Sequence, residues 1–167
     1  MLTQSGDGCT SVTISFMPCT QAVRGISRMI MDFCRMSLDD GDIGARVHMA
    51  AYELVENIVK YGSPVSADLR IELERERTTT IVRVKTRNTA PPGPMERAVQ
   101  VLSDVREAAD PLAYYDKRVL ETLPKSGDSG LGLARIRAEG DLAIDFQVDG
   151  SELSIVAKGE FAKRGEA

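Results

Sequence analysis

The chain has 167 residues, 43% hydrophobic and 28% charged, a balance that suits one globular domain with a substantial core rather than a disordered or membrane-spanning polypeptide. A formal charge of −4, a pI near 5.1 and only 5% aromatic residues remove the basic footprint and the stacking platforms that a nucleic-acid binder needs. No run approaches the roughly 18 apolar residues of a membrane span, and the start, Met1-Leu2-Thr3-Gln4, lacks a basic segment followed by an apolar one, so neither membrane nor export is indicated and the expected location is cytoplasmic.

Residues 1 to 10 are polar and Gly-containing and read as a flexible tail. Val12, Ile14 and Phe16 alternate with polar neighbours over 11–16, which predicts a strand ended by Pro18. Val23, Ile26, Ile30 and Phe33 then recur at three- and four-residue spacing, the apolar stripe of a helix over about 19–37. Cys34 lies on that helix and reads as packing. The three cysteines show no CxxC spacing and His48 is the lone histidine, so neither a disulfide framework nor a zinc site is indicated.

Asp39-Asp40-Gly41-Asp42 is a turn, with Asp42 the expected N-cap of a second helix over about 43–61. Ile43, Val47, Ala50, Ala51, Leu54, Val55 and Ile58 form its core stripe, and Gly62-Ser63-Pro64 stops it. Leu69, Ile71 and Leu73 alternate with charged residues as in a half-buried antiparallel strand, and 81–86 is a second strand, joined through Arg77-Thr78-Thr79. An irregular, Pro-rich segment follows, with helices expected at 95–109 and 112–122; together 88–129 reads as a lid. A third main helix over about 131–138 ends at Gly140, and two strands, 142–148 and 153–157, are joined by Asp149-Gly150, a strong hairpin signal. This order predicts a single domain over 11–160 with a C-terminal tail at 161–167. Its fold class is a two-layer α/β (α+β) sandwich, a mixed, mainly antiparallel sheet covered on one face by helices.

Two groups of residues carry chemistry. Glu53, Asn57 and Lys60 stand at i, i+4 and i+7 and project from one face of the second helix, away from Leu54, Val55 and Ile58. A carboxylate can take a proton, an amide oxygen is a hard ligand suited to Mg²⁺, and an ammonium balances phosphate charge. The same spacing also fits a solvated face with Glu56 and Lys60 ion-paired. In Gly127-Asp128-Ser129-Gly130-Leu131-Gly132-Leu133, glycines open the third helix, where backbone N–H groups and the positive dipole end attract phosphate; a flexible loop with a glycine cap fits the same residues.

Glu53-x-x-x-Asn57-x-x-Lys60-Tyr61 resembles the N box of the GHKL (histidine-kinase-like) ATPase superfamily, and Gly130-Leu131-Gly132-Leu133 resembles its second glycine box. The element order is similar to the Bergerat fold of that superfamily over nearly the whole chain. With a glutamate opening the N box, the likeness is to anti-sigma-factor serine kinases of the SpoIIAB and RsbW type and to SiaB-like regulatory kinases. The resemblance implies a bacterial-type serine/threonine protein kinase that uses ATP and Mg²⁺. Its partner would be a sigma factor or a STAS-like antagonist, and a homodimer would be expected. It assigns Mg²⁺ to Asn57, the general base or the orienting of the acceptor hydroxyl to Glu53, a place near phosphate to Lys60 and the triphosphate cradle to Gly130 and Gly132, with Gly127, Ser129 and Leu131 also in the nucleotide site.

One element departs from the pattern. The first glycine box aligns with Thr86-Arg87-Asn88-Thr89-Ala90, so Thr86 replaces the aspartate that reads the adenine amino group, and both glycines are gone. Thr86 shares the phase of Val82 and Val84 and is expected to point into the pocket, with a weaker acceptor than a carboxylate. Asn88 either supplies an amide contact or is a turn residue before Pro91-Pro92. The alternative reading is a non-catalytic switch module that keeps the fold, binds nucleotide weakly or not at all, and sequesters a protein partner.

Overall fold

The computed structural model describes residues 2–5, 8–122 and 130–163. In chain order the elements are β1 (Leu2–Ser5), β2 (Cys9–Phe16), α1 (Thr20–Ser37), α2 (Gly41–Tyr61), β3 (Ala67–Arg75), β4 (Thr79–Thr89), α3 (Pro92–Glu107), α4 (Pro111–Thr122), α5 (Leu131–Ala138), β5 (Ala143–Asp149) and β6 (Glu152–Ala162). The strands form one six-stranded sheet in the order β1-β2-β3-β4-β6-β5. Every pairing among the described residues is antiparallel. The architecture is an α+β two-layer sandwich.

The period-two pattern decides which face is covered. Leu69, Ile71 and Leu73 of β3, Val82 and Val84 of β4 and Ala157 of β6 are fully buried; in register Ile71 faces Val84, Leu73 faces Val82 and Val84 faces Ala157. Ile30 of α1, Val47, Leu54 and Val55 of α2, Leu102 of α3 and Ile136 of α5 close over them. The other face carries charge. Glu72 accepts from Arg70 at 2.7 Å and Lys85 at 2.6 Å, and Arg83 reaches Glu74 at 2.9 Å.

Three local expectations change. Residues 2–5, expected within a flexible tail, form an edge strand paired with β2; Gly8, at φ +74°, makes the reversal that only glycine adopts without strain. The cap of α2 is Asp40 rather than Asp42, its Oδ1 accepting from the backbone N–H groups of Asp42 at 2.8 Å and Ile43 at 3.3 Å. A cap of this kind stabilises a helix by about 1 kcal/mol, and one turn-forming aspartate serves as well as another until the backbone picks one. At the other end, β6 runs to Ala162, and the backbone N–H of Lys163 donates to the Thr78 carbonyl at 2.8 Å, which fastens the start of the expected C-terminal tail to the β3–β4 turn.

In the described part of the segment expected as a lid, α3 packs on the core. Within α3, Leu102 and Val105 are fully covered and Met95 nearly so. Arg137, near the end of α5, donates to the carbonyls of Val105, Arg106 and Ala108 and thereby satisfies the last turn of α3. His48 of α2 shares a hydrogen bond of 2.8 Å with the Ser27 hydroxyl of α1. Burial pushes the Cys34 thiol up to about 11, as suits a packed thiol.

Candidate functional site

The helical period of α2 turns Leu54, Val55 and Ile58 into the core and leaves Glu53, Asn57 and Lys60 along the opposite edge, beside the first turn of α5. There they meet Gly130, Leu131 and Gly132 around an open groove of about 510 Å³. Six of the ten candidate residues thus converge. Gly127 and Ser129 lie outside the described residues.

A side chain at either glycine would meet a neighbour. Gly130 precedes α5 at φ +59°, and a Cβ on it would lie 2.5 Å from a Val101 methyl. A Cβ on Gly132 would lie 2.3 Å from Glu53 Oε2. The glutamate therefore reaches the N-terminal turn of α5, where the helix dipole favours an anion.

Glu53 keeps only 14% of its side chain exposed, and Arg135 Nη1 of α5 pairs with its Oε1 at 3.3 Å. Arg135 Nε also donates to Glu139 Oε2 at 2.6 Å. Burial holds the Glu53 carboxyl above its ordinary value, against the opposing pull of Arg135; Glu56 adds to the rise and Lys60 reduces it. Tyr115 of α4 completes the wall, its phenol raised first by burial and then by Glu139. Lys60 lines the groove and also pairs with Glu56 at 2.9 Å, so the ion pair and the place at the groove coexist.

Neither Arg135 nor Tyr115 was among the residues singled out from the sequence. Arg135 stands three positions after Gly132, hence on the same helix face, and that spacing is a usable signal. Tyr115 carries none, because only tertiary packing brings α4 to α5.

A second, mainly apolar cavity of about 70 Å³ adjoins the groove, sharing Asn57, Tyr61 and Gly130 with it and closed by Val101 and Leu102 of α3. Asn88 is at its wall. It belongs to β4, paired with Leu153, and is not a turn residue: pairing continues through Thr89 despite the prolines that follow. Its Nδ2 donates to the Thr89 carbonyl at 3.1 Å. Thr86, expected to face the pocket, points inward but is not among the cavity's lining residues. It is 3% exposed between Leu69 and Ile155, and its Oγ1 has no hydrogen-bond partner.

Among the described residues no three His, Cys, Asp or Glu side chains form a metal-binding group. The donors facing the groove, the Asn57 amide with Glu53 nearby, fit a magnesium ion that keeps waters and phosphate oxygens as its other ligands, not a resident cage.

The fold and groove together define an α+β sandwich with a polar cleft at one end of its helical layer. The chain is similar to a chain of the crystal structure of the SiaB–SiaC complex from Pseudomonas aeruginosa, with a TM-score of 0.61 and 14% identity, over 90% of this chain and 89% of that one. At that identity the likeness is one of fold. No family model matches the chain, and no curated protein matches it. No helix among the described residues is long and apolar enough to cross a membrane.

Proposed function

We propose that this chain is a cytoplasmic regulatory protein of the histidine-kinase-like ATPase type that transfers the terminal phosphoryl group of ATP to a serine or threonine of a partner protein. The observation that carries the reading is the meeting of Glu53, Asn57 and Lys60 with the glycine turn of α5 in one groove. Lys60 and the first-turn N–H groups of α5 suit the phosphates. Asn57 would hold magnesium, whose charge offsets that of the phosphates when it is bound. Glu53, held above the ordinary carboxylate value, is suited to take the proton of the acceptor hydroxyl while that oxygen bonds the terminal phosphorus and the bond to the β-phosphate breaks, leaving ADP. A protein partner is supported by the fold likeness to a chain from a two-protein complex; a sigma factor or a STAS-like antagonist is the proposed kind.

A second reading, a non-catalytic switch module, is favoured by the apolar cavity. Its 70 Å³ is well below the roughly 300 Å³ at which small-molecule pockets begin, so a base enters only if α3 yields. Titration calorimetry with ATP and Mg²⁺ separates the two. Micromolar binding followed by phosphorylation of a partner supports the kinase; no heat of binding from a folded protein leaves the switch module.

A further inference from the structure

Arg135 is the cation of the groove that neither the N-box likeness nor the glycine box assigns. It sits on α5 one turn after the glycine turn, pairs with Glu53 Oε1 at 3.3 Å, and is anchored by Glu139, the C-cap of α5, at 2.6 Å. Its side chain is 43% exposed and lines the 510 Å³ groove, whereas Glu53 is largely covered. Glu53 Oε2 in turn lies against Gly132, at the helix end that attracts anions. A carboxylate therefore stands where a phosphate would be drawn, and it holds the guanidinium that a phosphate would seek.

Guanidinium binds phosphate through two parallel N–H···O bonds and binds carboxylate in the same way. Glu53 holds one nitrogen of this fork, Nη1, for which a phosphate would compete. Glu139 lies at i+4 and keeps Arg135 tethered while its other nitrogens change partner.

We propose that Arg135 is the phosphate-sensing residue of this groove, paired with Glu53 when the groove is empty and transferred to the outermost phosphate of a polyphosphate ligand when one binds. This rests on the nucleotide reading above and adds to it a device: the anion that occupies the groove is the one that releases Glu53 from its ion pair. Glu53 then faces the acceptor hydroxyl only when a phosphate is present to be transferred. Arg135 acts on the reaction as a positioning residue for Glu53 and as a binding residue for phosphate.

The test uses the full chain, magnesium tripolyphosphate as a probe without base or ribose, and calorimetry. Arg135→Ala is expected to weaken tripolyphosphate binding by roughly ten- to a hundred-fold, the size of a lost charge-assisted pair, and Arg135→Lys to restore part of it. Glu53→Gln is expected to tighten binding by roughly three-fold or more, because Arg135 is released, and to lose most of that gain in the Arg135→Ala background. Simple repulsion between Glu53 and phosphate predicts the reverse, a gain at least as large without Arg135.

Equal affinity in parent and Arg135→Ala, or a Glu53→Gln gain that persists without Arg135, overturns the proposal. If Arg135→Ala fails to fold, the same comparison is made with Arg135→Lys and the double variant Arg135→Lys with Glu53→Gln. Mg-ATP measured in parallel separates the two levels. ATP bound equally by parent and Arg135→Ala removes the sensing role and leaves the nucleotide reading standing; a folded parent that binds neither ATP nor tripolyphosphate removes both.

Discussion

Glu53 occupies the space that a side chain at Gly132 would fill, its Oε2 only 2.3 Å from where that Cβ would stand. The contact of Glu53 with Gly132 is one of shape, beside the Arg135–Glu53 bond that also joins α2 to α5. The clash falls on the far end of a long side chain, so Gly132→Ala is expected to leave the fold intact at a cost of about 1 kcal/mol. It should at the same time swing Glu53 off Arg135. Urea unfolding and a partner-phosphorylation assay, run together, should give a small shift in midpoint and a large loss of transfer. A loss of transfer no greater than the loss of folded protein would detach Glu53 from the chemistry.

Asn57→Ala removes an amide side chain that lines both cavities without emptying the core. Magnesium-dependent nucleotide binding is expected to vanish while the thermal midpoint stays within a few degrees of the parent. Unchanged Mg-ATP affinity would move the metal elsewhere.

Glu53→Gln keeps the shape that Gly132 accommodates and removes the proposed proton acceptor. Phosphoryl transfer should fall by about 10² or more while nucleotide is retained, the size of a lost general base. Equal turnover would leave Glu56 as the next residue to try.

The same variant reads the titration of Glu53. Its carboxyl is raised in the folded state, first by burial, with Arg135 opposing. A group whose native value exceeds its unfolded value binds its proton more tightly when folded. Its contribution to stability is complete below the unfolded value near 4.5 and is lost as pH rises through the native value. The stability of the parent relative to Glu53→Gln, followed in urea from about pH 4 to about pH 7, should therefore decline with rising pH. A flat difference would mean that the two states hold the proton alike.

Thr86→Val tests the orphaned hydroxyl. Thr86 Oγ1 is buried without a partner, and replacing it with a methyl group of similar shape is expected to stabilise the fold by about 1 kcal/mol, read as a higher urea midpoint. Thr86→Asp, in contrast, would bury a charge with no partner and is expected to destabilise by several kcal/mol. Adenine selectivity should respond at Asn88, whose amide is at the cavity wall. Asn88→Asp is expected to raise the preference for ATP over GTP, as measured by competition. A preference that shifts with Thr86 and not with Asn88 would restore Thr86 to the pocket.

The legible parts of this chain are those written in a local period. The stripe from Ile43 to Ile58 and the alternation from Leu69 to Leu73 each place their own buried face, and with it the edge bearing Glu53, Asn57 and Lys60. Asn88 was ambiguous because Pro91 and Pro92 carry turn chemistry, while the pairing with Leu153 that keeps it in a strand comes from β6, far along the chain. Leu2–Ser5 has no apolar pattern of its own and is a strand only because β2 offers an edge. Arg135 meets Glu53 across 82 residues, and no window along the sequence contains both.

Arg137 gives the helical layer a mechanical property. It gathers three carbonyls at the end of α3 onto a side chain of α5, so the two helices are cross-linked where α3 ends. The wall of the apolar cavity is on α3 and the glycine turn of the polar groove opens α5. The two chambers therefore have walls that share one fastening.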